Sequence, residues 1–144
     1  MNKMITLSAV VEAPLQTAWD AFTQPEHVVQ WNHASDDWHC PSASNDLRVG
    51  GRFNYRMEAK DGSFGFDFWG DYTDVQDLKG FDSRLGDGRA LKVEFEALGS
   101  QQTRVSETFE LENQNSEELQ RGGWQAILDN FKQHAESLRR KAKS

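Results

Sequence analysis

The sequence predicts an α+β domain: a curved antiparallel sheet of about six or seven strands wrapped around one long C-terminal helix, with two short helices after the first strand. Three observations predict it. Between 52 and 111 apolar and polar side chains alternate at period two, with glycine-bearing turns between the runs. From 117 to 141 the apolar residues fall on a single helical stripe, long enough at about 37 Å to cross a whole sheet. Between the first strand and the alternating region lie two short stretches of helical spacing, each introduced by a proline.

The elements follow in order. Residues 3–12 are rich in β-branched side chains and partly alternate, which predicts a strand that Ala13-Pro14 ends. Leu15, Ala18, Trp19 and Phe22 then recur at i, i+3, i+4 and i+7, the mark of a short amphipathic helix. Thr23-Gln24-Pro25 stops it. Pro25 and Glu26 open a second helix with Val28, Val29 and Trp31 as its apolar positions. Residues 32–46 read as a loop, followed by Leu47-Arg48-Val49 and a Gly50-Gly51 turn or bulge.

The meander begins at 52. Phe53, Tyr55 and Met57 share one face, and Asp61-Gly62 is a hairpin turn. The next strand places Phe64, Phe66 and Phe68 together, with a bulge predicted at Trp69-Gly70 before Tyr72 and Val75. Phe81, Ser83 and Leu85 form a further strand face, as do Leu91, Val93, Phe95 and Ala97 after the Gly86-Asp87-Gly88 turn. Past Gly99-Ser100, Thr103, Val105, Glu107, Phe109 and Leu111 share the last one. Residues 113–116 cap the final helix, whose first-turn Glu117 and Glu118 suit its dipole. Leu119, Trp124, Ile127, Leu128, Phe131 and Ala135 lie on its apolar stripe. The basic tail 139–144 is expected to be frayed and solvated.

Length and charge narrow the function classes. The 144 residues fit one domain spanning 1–144, without repeat, linker or low-complexity tract. With 16 lysines and arginines against 23 aspartates and glutamates, the formal net charge is −7, so the general phosphate-backbone binding of a nucleic-acid protein is not expected. No apolar run approaches the length of a membrane span. The first residues lack a secretory apolar core, and the single cysteine, Cys40, has no internal disulfide partner, so a cytoplasmic location is expected.

A curved sheet gripping one helix leaves space between them near the short helices, where a pocket of about 300–1,000 Å³ is an ordinary ligand site. Aromatic residues are 11% of the chain, and their rings either pack as solid core or line a hollow. The candidates from the early meander are Phe53, Tyr55, Phe64, Phe66, Phe68 and Tyr72. Later strands offer Phe81, Phe95 and Phe109, and the helices offer Trp31, Trp124 and Phe131. Glu107 shares a face with Val105 and Phe109, so its carboxyl is expected to point into apolar surroundings. There its pKa would rise, fitting it to anchor a ligand or to act as general acid or base with Tyr72, Tyr55 or a loop histidine.

Other candidates carry less. His33, His39 and Cys40 share a loop with Asp36 and Asp37, yet their spacing is no recognised ligand pattern and no metal is expected. His39-Cys40 lacks an orienting third group for nucleophilic work. Asp67 and Asp71 flank Phe68-Trp69; Asp67, out of phase with the phenylalanines, is expected on the solvent face, paired with Arg48, Arg52 or Arg56. Gly50-Gly51 is not a phosphate loop, since no helix follows it. Gly122-Gly123 leaves either room for a ligand or a close approach to the sheet. Trp38 with Trp31 either gates a pocket mouth or packs the loop, and Ser83 bonds either a ligand or a neighbouring strand.

Ala13-Pro14, Ala18-Trp19, Phe22, Pro25-Glu26 and Trp31 resemble the opening of the START-related helix-grip superfamily. The run Asp46-Leu47-Arg48-Val49-Gly50-Gly51-Arg52-Phe53, with Asp61-Gly62, Gly70-Asp71-Tyr72 and Gly123-Trp124, is similar to the branch named after the activator of the heat-shock-protein-90 ATPase. The resemblance covers nearly the whole chain. It implies the helix-grip fold enclosing a hydrophobic cavity, and a small molecule of lipid, polyketide or aromatic-metabolite class as partner, with no cofactor. Some superfamily relatives are enzymes, which keeps a catalytic Glu107 as an alternative. The branch name implies chaperone contact, although the eukaryotic activators make much of it through a further domain preceding the helix-grip segment. Monomer and homodimer both remain open.

Overall fold

β1 (Met4–Val11) buries Ile5, Leu7 and Val11 and turns Met4, Thr6 and Ser8 outward, the period of two that its sequence predicts. Pro14 ends it, and the Pro14 carbonyl accepts the Ala18 N–H as the first bond of α1 (Leu15–Thr23). Pro25 takes the first position of α2 (Pro25–Trp31), where its missing N–H costs nothing. The computed structural model describes the backbone over residues 3–143 and the side chains over 3–138. The solvated tail expected over 139–144 therefore lies outside the described side chains.

After α2 come β2 (Trp38–Asn45), β3 (Arg52–Ala59), β4 (Gly65–Gln76), β5 (Gly80–Leu85), β6 (Ala90–Gly99), β7 (Gln102–Glu110) and α3 (Glu117–Lys143). One antiparallel sheet holds all seven strands in the order β1-β7-β6-β5-β4-β3-β2. Every neighbouring pair but β1 and β7 is a hairpin in sequence. The chain is thus a meander closed at one side by its own first strand.

Two expectations need correcting. The segment 32–46 is not all loop: residues 38–45 pair with β3 as the edge strand β2. Its Cys-Pro-Ser-Ala-Ser-Asn composition is poor for a strand, and only an edge tolerates it. The register slips between His39 and Ser42, which lets Pro41 sit where no ladder bond is needed. The second correction concerns β4. Alternation runs straight through Trp69-Gly70, and the bulge falls at Thr73, between Tyr72 and Asp74 in the pairing with β5. That extra residue puts Val75 back on the face of Tyr72, opposite Phe81. Gly70 is bare because the Phe53 ring fills its place: an added β-carbon would lie 2.7 Å from that ring.

The Asp46–Gly51 run gains a physical meaning here. Gly50 has φ +84°, the left-handed region that favours glycine, and a β-carbon on Gly51 would overlap the Asp46 carbonyl. The two glycines let the turn lie against β4, where the Gly50 N–H donates to the Tyr72 carbonyl and the Tyr72 N–H donates to Gly51, both at 2.9 Å.

α3 lies alongside β1, in the same direction. Lys3 pairs with Glu117 at 3.0 Å, and the Glu12 N–H donates to Glu136 at 2.9 Å. The nine strand steps and nineteen helix steps between those ties both span about 30 Å. Ser116 caps the helix by accepting the Leu119 N–H at 3.1 Å. Leu128, Phe131 and Ala135 are fully or almost fully buried beneath it. At the α1–α2 end the space is solid with rings: Trp19 meets Phe95 at 5.0 Å, and Phe22 meets Phe131 at 5.0 Å and Trp31 at 5.3 Å.

Candidate functional site

Between the sheet and the first half of α3 the packing opens into a hollow of about 320 Å³. β3 contributes Phe53, Tyr55 and Met57, and β4 contributes Phe66, Phe68 and Tyr72, all inner-face positions set by period-two alternation. Phe81, Leu91 and Val93 extend the floor, Trp124 and Ile127 of α3 form the roof, and Phe22 and Trp31 close the short-helix end.

Glu107 lies in this lining, on β7 between Leu7 of β1 and Val93 of β6. Its side chain is 6% exposed, and among the described residues its Oε1 has no hydrogen-bond partner. Burial without a compensating charge lifts its pKa from 4.5 to about 8. At neutral pH it is therefore mainly a neutral acid.

The tyrosines are differently placed. The Tyr72 hydroxyl donates to Asn45 Oδ1 at 2.6 Å, and the Tyr55 hydroxyl lies beside that of Tyr72. Asn45 Nδ2 in turn donates to the Thr23 carbonyl at 2.7 Å. This relay ties β4 and the edge strand β2 to the end of α1. Desolvation raises the pKa of both phenols, Tyr55 well above its ordinary value. No hydrogen bond among the described residues joins Glu107 to Tyr55, Tyr72 or a histidine of the 32–46 segment. His39 instead lies 4.0 Å from Glu58 on the partly exposed outer side.

Arg89 and Glu112 stand at the far end of the hollow, and with Trp124 and Ile127 they also line a shallow surface depression. These four side chains are the partition between interior and solvent. Arg89 is committed there, its Nε donating to Asp87 at 2.7 Å and its Nη1 to the Glu110 carbonyl at 3.1 Å.

Four predicted ring positions are not in the lining. Phe64 precedes β4, closes the β3–β4 turn through its carbonyl and is 61% exposed, its ring edge-on to Trp38 at 6.0 Å. The alternation read for it begins one residue later, at Gly65. Phe95 and Phe131 point inward but are covered by the α1 and α2 rings. Phe109 lies under Trp124, stacked at 4.2 Å, so the tryptophan meets the hollow in its place. Trp31, Phe53, Tyr55, Phe66, Phe68, Tyr72, Phe81, Glu107 and Trp124 all line it.

The remaining candidates resolve simply. The Trp31 Nε1–H donates to the Ala21 carbonyl at 2.8 Å, and Trp38 packs on Phe64 and Phe66 at the outer rim. Ser83 Oγ donates to the Leu91 carbonyl across the strand pair, at 3.4 Å. Arg52 pairs with Asp71 at 2.7 Å and lies over the Trp69 ring at 4.0 Å. A β-carbon on Gly122 or Gly123 would meet nothing within 4 Å, so the pair makes no close approach to the sheet. No group of three or more histidine, cysteine or acidic side chains among the described residues is placed to hold a metal ion. Among the described residues no helix is long and apolar enough to cross a membrane.

Sequence reasoning missed Asn45, Asn32, Arg89 and Glu112. Asn45 and Asn32 sat in a stretch read as loop, and Asn32 proves to be a buried lining residue. Arg89 lies in the connection before β6 and Glu112 just past the end of β7, where period-two alternation gives no inner or outer face.

A seven-stranded sheet curled on a long C-terminal helix, with two short helices after its first strand, defines a helix-grip protein of the START-related superfamily. The family described as activator of Hsp90 ATPase homolog 1-like protein matches residues 12–136, and the chain belongs to it. Its fold is similar to the solution structure of the AHSA1-like protein from Aeromonas hydrophila, with 40% identity, 94% of each chain covered and a TM-score of 0.87. A Cytophaga hutchinsonii protein is 41% identical over 92% of each chain, at a TM-score of 0.80. A Nitrosomonas europaea protein, 20% identical over 93% of this chain and 94% of its own, shares the fold at a TM-score of 0.80. Among curated proteins none matches the chain.

Proposed function

We propose that the protein binds an apolar or aromatic small molecule, of lipid, polyketide or aromatic-metabolite class, between its sheet and α3. The observation that carries this reading is the hollow of about 320 Å³, lined by rings and holding a buried carboxyl whose Oε1 has no hydrogen-bond partner among the described residues. A solid core has no use for either feature. The volume lies at the lower end of ordinary ligand sites, which suits a compact ligand rather than a long-chain lipid. Native mass spectrometry of protein purified from its own cells is the test. A co-purified apolar compound near one per chain supports the reading. A clean mass, together with no binding of small aromatic probes, overturns it.

Glu107 favours a second reading, proton-transfer catalysis on such a molecule. A carboxyl titrating near 8 is protonated at neutral pH and close enough to it to cycle. Turnover abolished in Glu107→Gln with ligand affinity unchanged would select this reading over simple binding. The family also fits a chaperone partner, for which the readout is stimulation of the chaperone ATPase by the purified chain.

A further inference from the structure

We infer that Glu107 selects the ligand by donating a hydrogen bond from its neutral carboxylic acid. The hollow then takes an uncharged apolar molecule bearing an acceptor oxygen, such as a ketone, aldehyde or ester, and rejects carboxylates. This rests on the hollow being the ligand site and names the chemistry that the site recognises.

The argument is one of matching donors to acceptors. Lining residues on β3 and β4 present rings and Met57; of the two tyrosine hydroxyls among them, that of Tyr72 is engaged with Asn45 and that of Tyr55 lies beside it. Around Glu107 itself, β1 and β6 place Leu7 and Val93 beside it, and α3 contributes Trp124 and Ile127 to the lining. The charged groups in the lining are Arg89 and Glu112, together at the solvent partition, and Arg89 is held toward Asp87 and Glu110. A buried carboxyl with an unpartnered oxygen and apolar neighbours is stable as the acid, since ionising it there would leave a charge without compensation. The acid has one hydrogen to give. An acceptor on the ligand uses it, a hydrocarbon leaves it unused, and an anionic ligand brings an uncompensated charge into a lining whose guanidinium, Arg89, is already engaged.

Three probes of one shape separate these cases: 2-acetylnaphthalene, 2-isopropylnaphthalene and 2-naphthoate. Each is titrated calorimetrically into the full chain at pH 6.5, with amide shifts mapping the contact. The ketone is expected to bind wild type about 5–10-fold more tightly than the hydrocarbon, the value of one net hydrogen bond, and naphthoate more weakly than either. Glu107→Leu should erase the ketone preference while keeping the hydrocarbon. Glu107→Gln, whose amide still donates, should keep the preference and hold it at pH 9.5, where wild type loses it. Equal binding of ketone and hydrocarbon to wild type, or naphthoate binding tightest, overturns the inference but leaves the hollow as a site. Silence of all three probes removes the hollow as a site and the inference with it. If Glu107→Leu does not fold, the comparison of wild type with Glu107→Gln at the two pH values decides: a preference lost equally by both overturns the inference.

Discussion

Replacing Glu107 by glutamine should make the protein more stable, by an amount that grows with pH. The carboxyl titrates at about 8 in the fold and at its ordinary value of 4.5 in the unfolded chain. Across that window the fold keeps a proton that the unfolded chain has released. Wild-type stability therefore falls as pH rises from about 4.5 to 8 and levels off above it. The slope is about 1.4 kcal/mol per pH unit, which accumulates to about 5 kcal/mol over the window. Typical domain stability is about 5–15 kcal/mol, so the swing is a large share of the total. The amide of Glu107→Gln is neutral throughout and removes this dependence. Urea unfolding followed by tryptophan fluorescence, for both proteins at pH 5, 6, 7, 8 and 9, isolates the effect, because all other ionisations cancel in the difference. The two should agree within about 1 kcal/mol at pH 5, and the variant should lead by about 3–5 kcal/mol at pH 8 and above. A difference that stays constant from pH 5 to 8 would falsify the assignment of Glu107 as a buried neutral acid.

Three further outcomes are expected. Gly122→Ala and Gly123→Ala should each stabilise the chain by about 0.5–1 kcal/mol, because a helical position gains propensity and the added β-carbon meets nothing. A lower melting temperature in either variant would mean that the bare helix face serves a packing role. Tyr72→Phe should cost about 1–2 kcal/mol, since Asn45 Oδ1 loses its donor, and amide exchange should speed up across 38–45, the edge strand that this bond secures. Unchanged exchange there would show that the β3 ladder alone holds β2. The buried Cys40 thiol, with its pKa pushed up by desolvation to about 11, should react slowly with a disulfide reagent at pH 8 and quickly once the chain is unfolded in urea.

The strand faces were legible because alternation is a local property. Phe53, Tyr55 and Met57 must share a face whatever else the chain does, and Glu107 must share one with Val105 and Phe109. The edge strand was not legible, because Cys40, Pro41 and Ser42 form no alternating pattern, and their strand exists only through pairing with β3. The bulge at Thr73 escaped for a similar reason. Trp69-Gly70 carries the local signature of an irregularity, but the close approach of the Phe53 ring accounts for that glycine.

Which rings line the hollow was likewise beyond the sequence. Phe95 and Phe66 carry the same inward signature, yet one is sealed beneath Trp19 and Phe22 and the other stands open. Phe109 and Trp124 compete for one place, and stacking puts the tryptophan in front. Covering a sheet face is a property of two elements at once, and neither strand carries a record of what the helices bring to it.

The sequence by itself determined the element order, the antiparallel meander, the single gripping helix and the inward aim of Glu107, all from patterns that repeat within a few residues. Only the tertiary structure decided that the short-helix end is filled with rings while the other end is hollow. It alone brought Arg89 and Glu112 to the partition and left Glu107 Oε1 without a hydrogen-bond partner among the described residues. Periodicity fixes the direction of a side chain, but the volume and polarity it meets depend on residues far away in the chain.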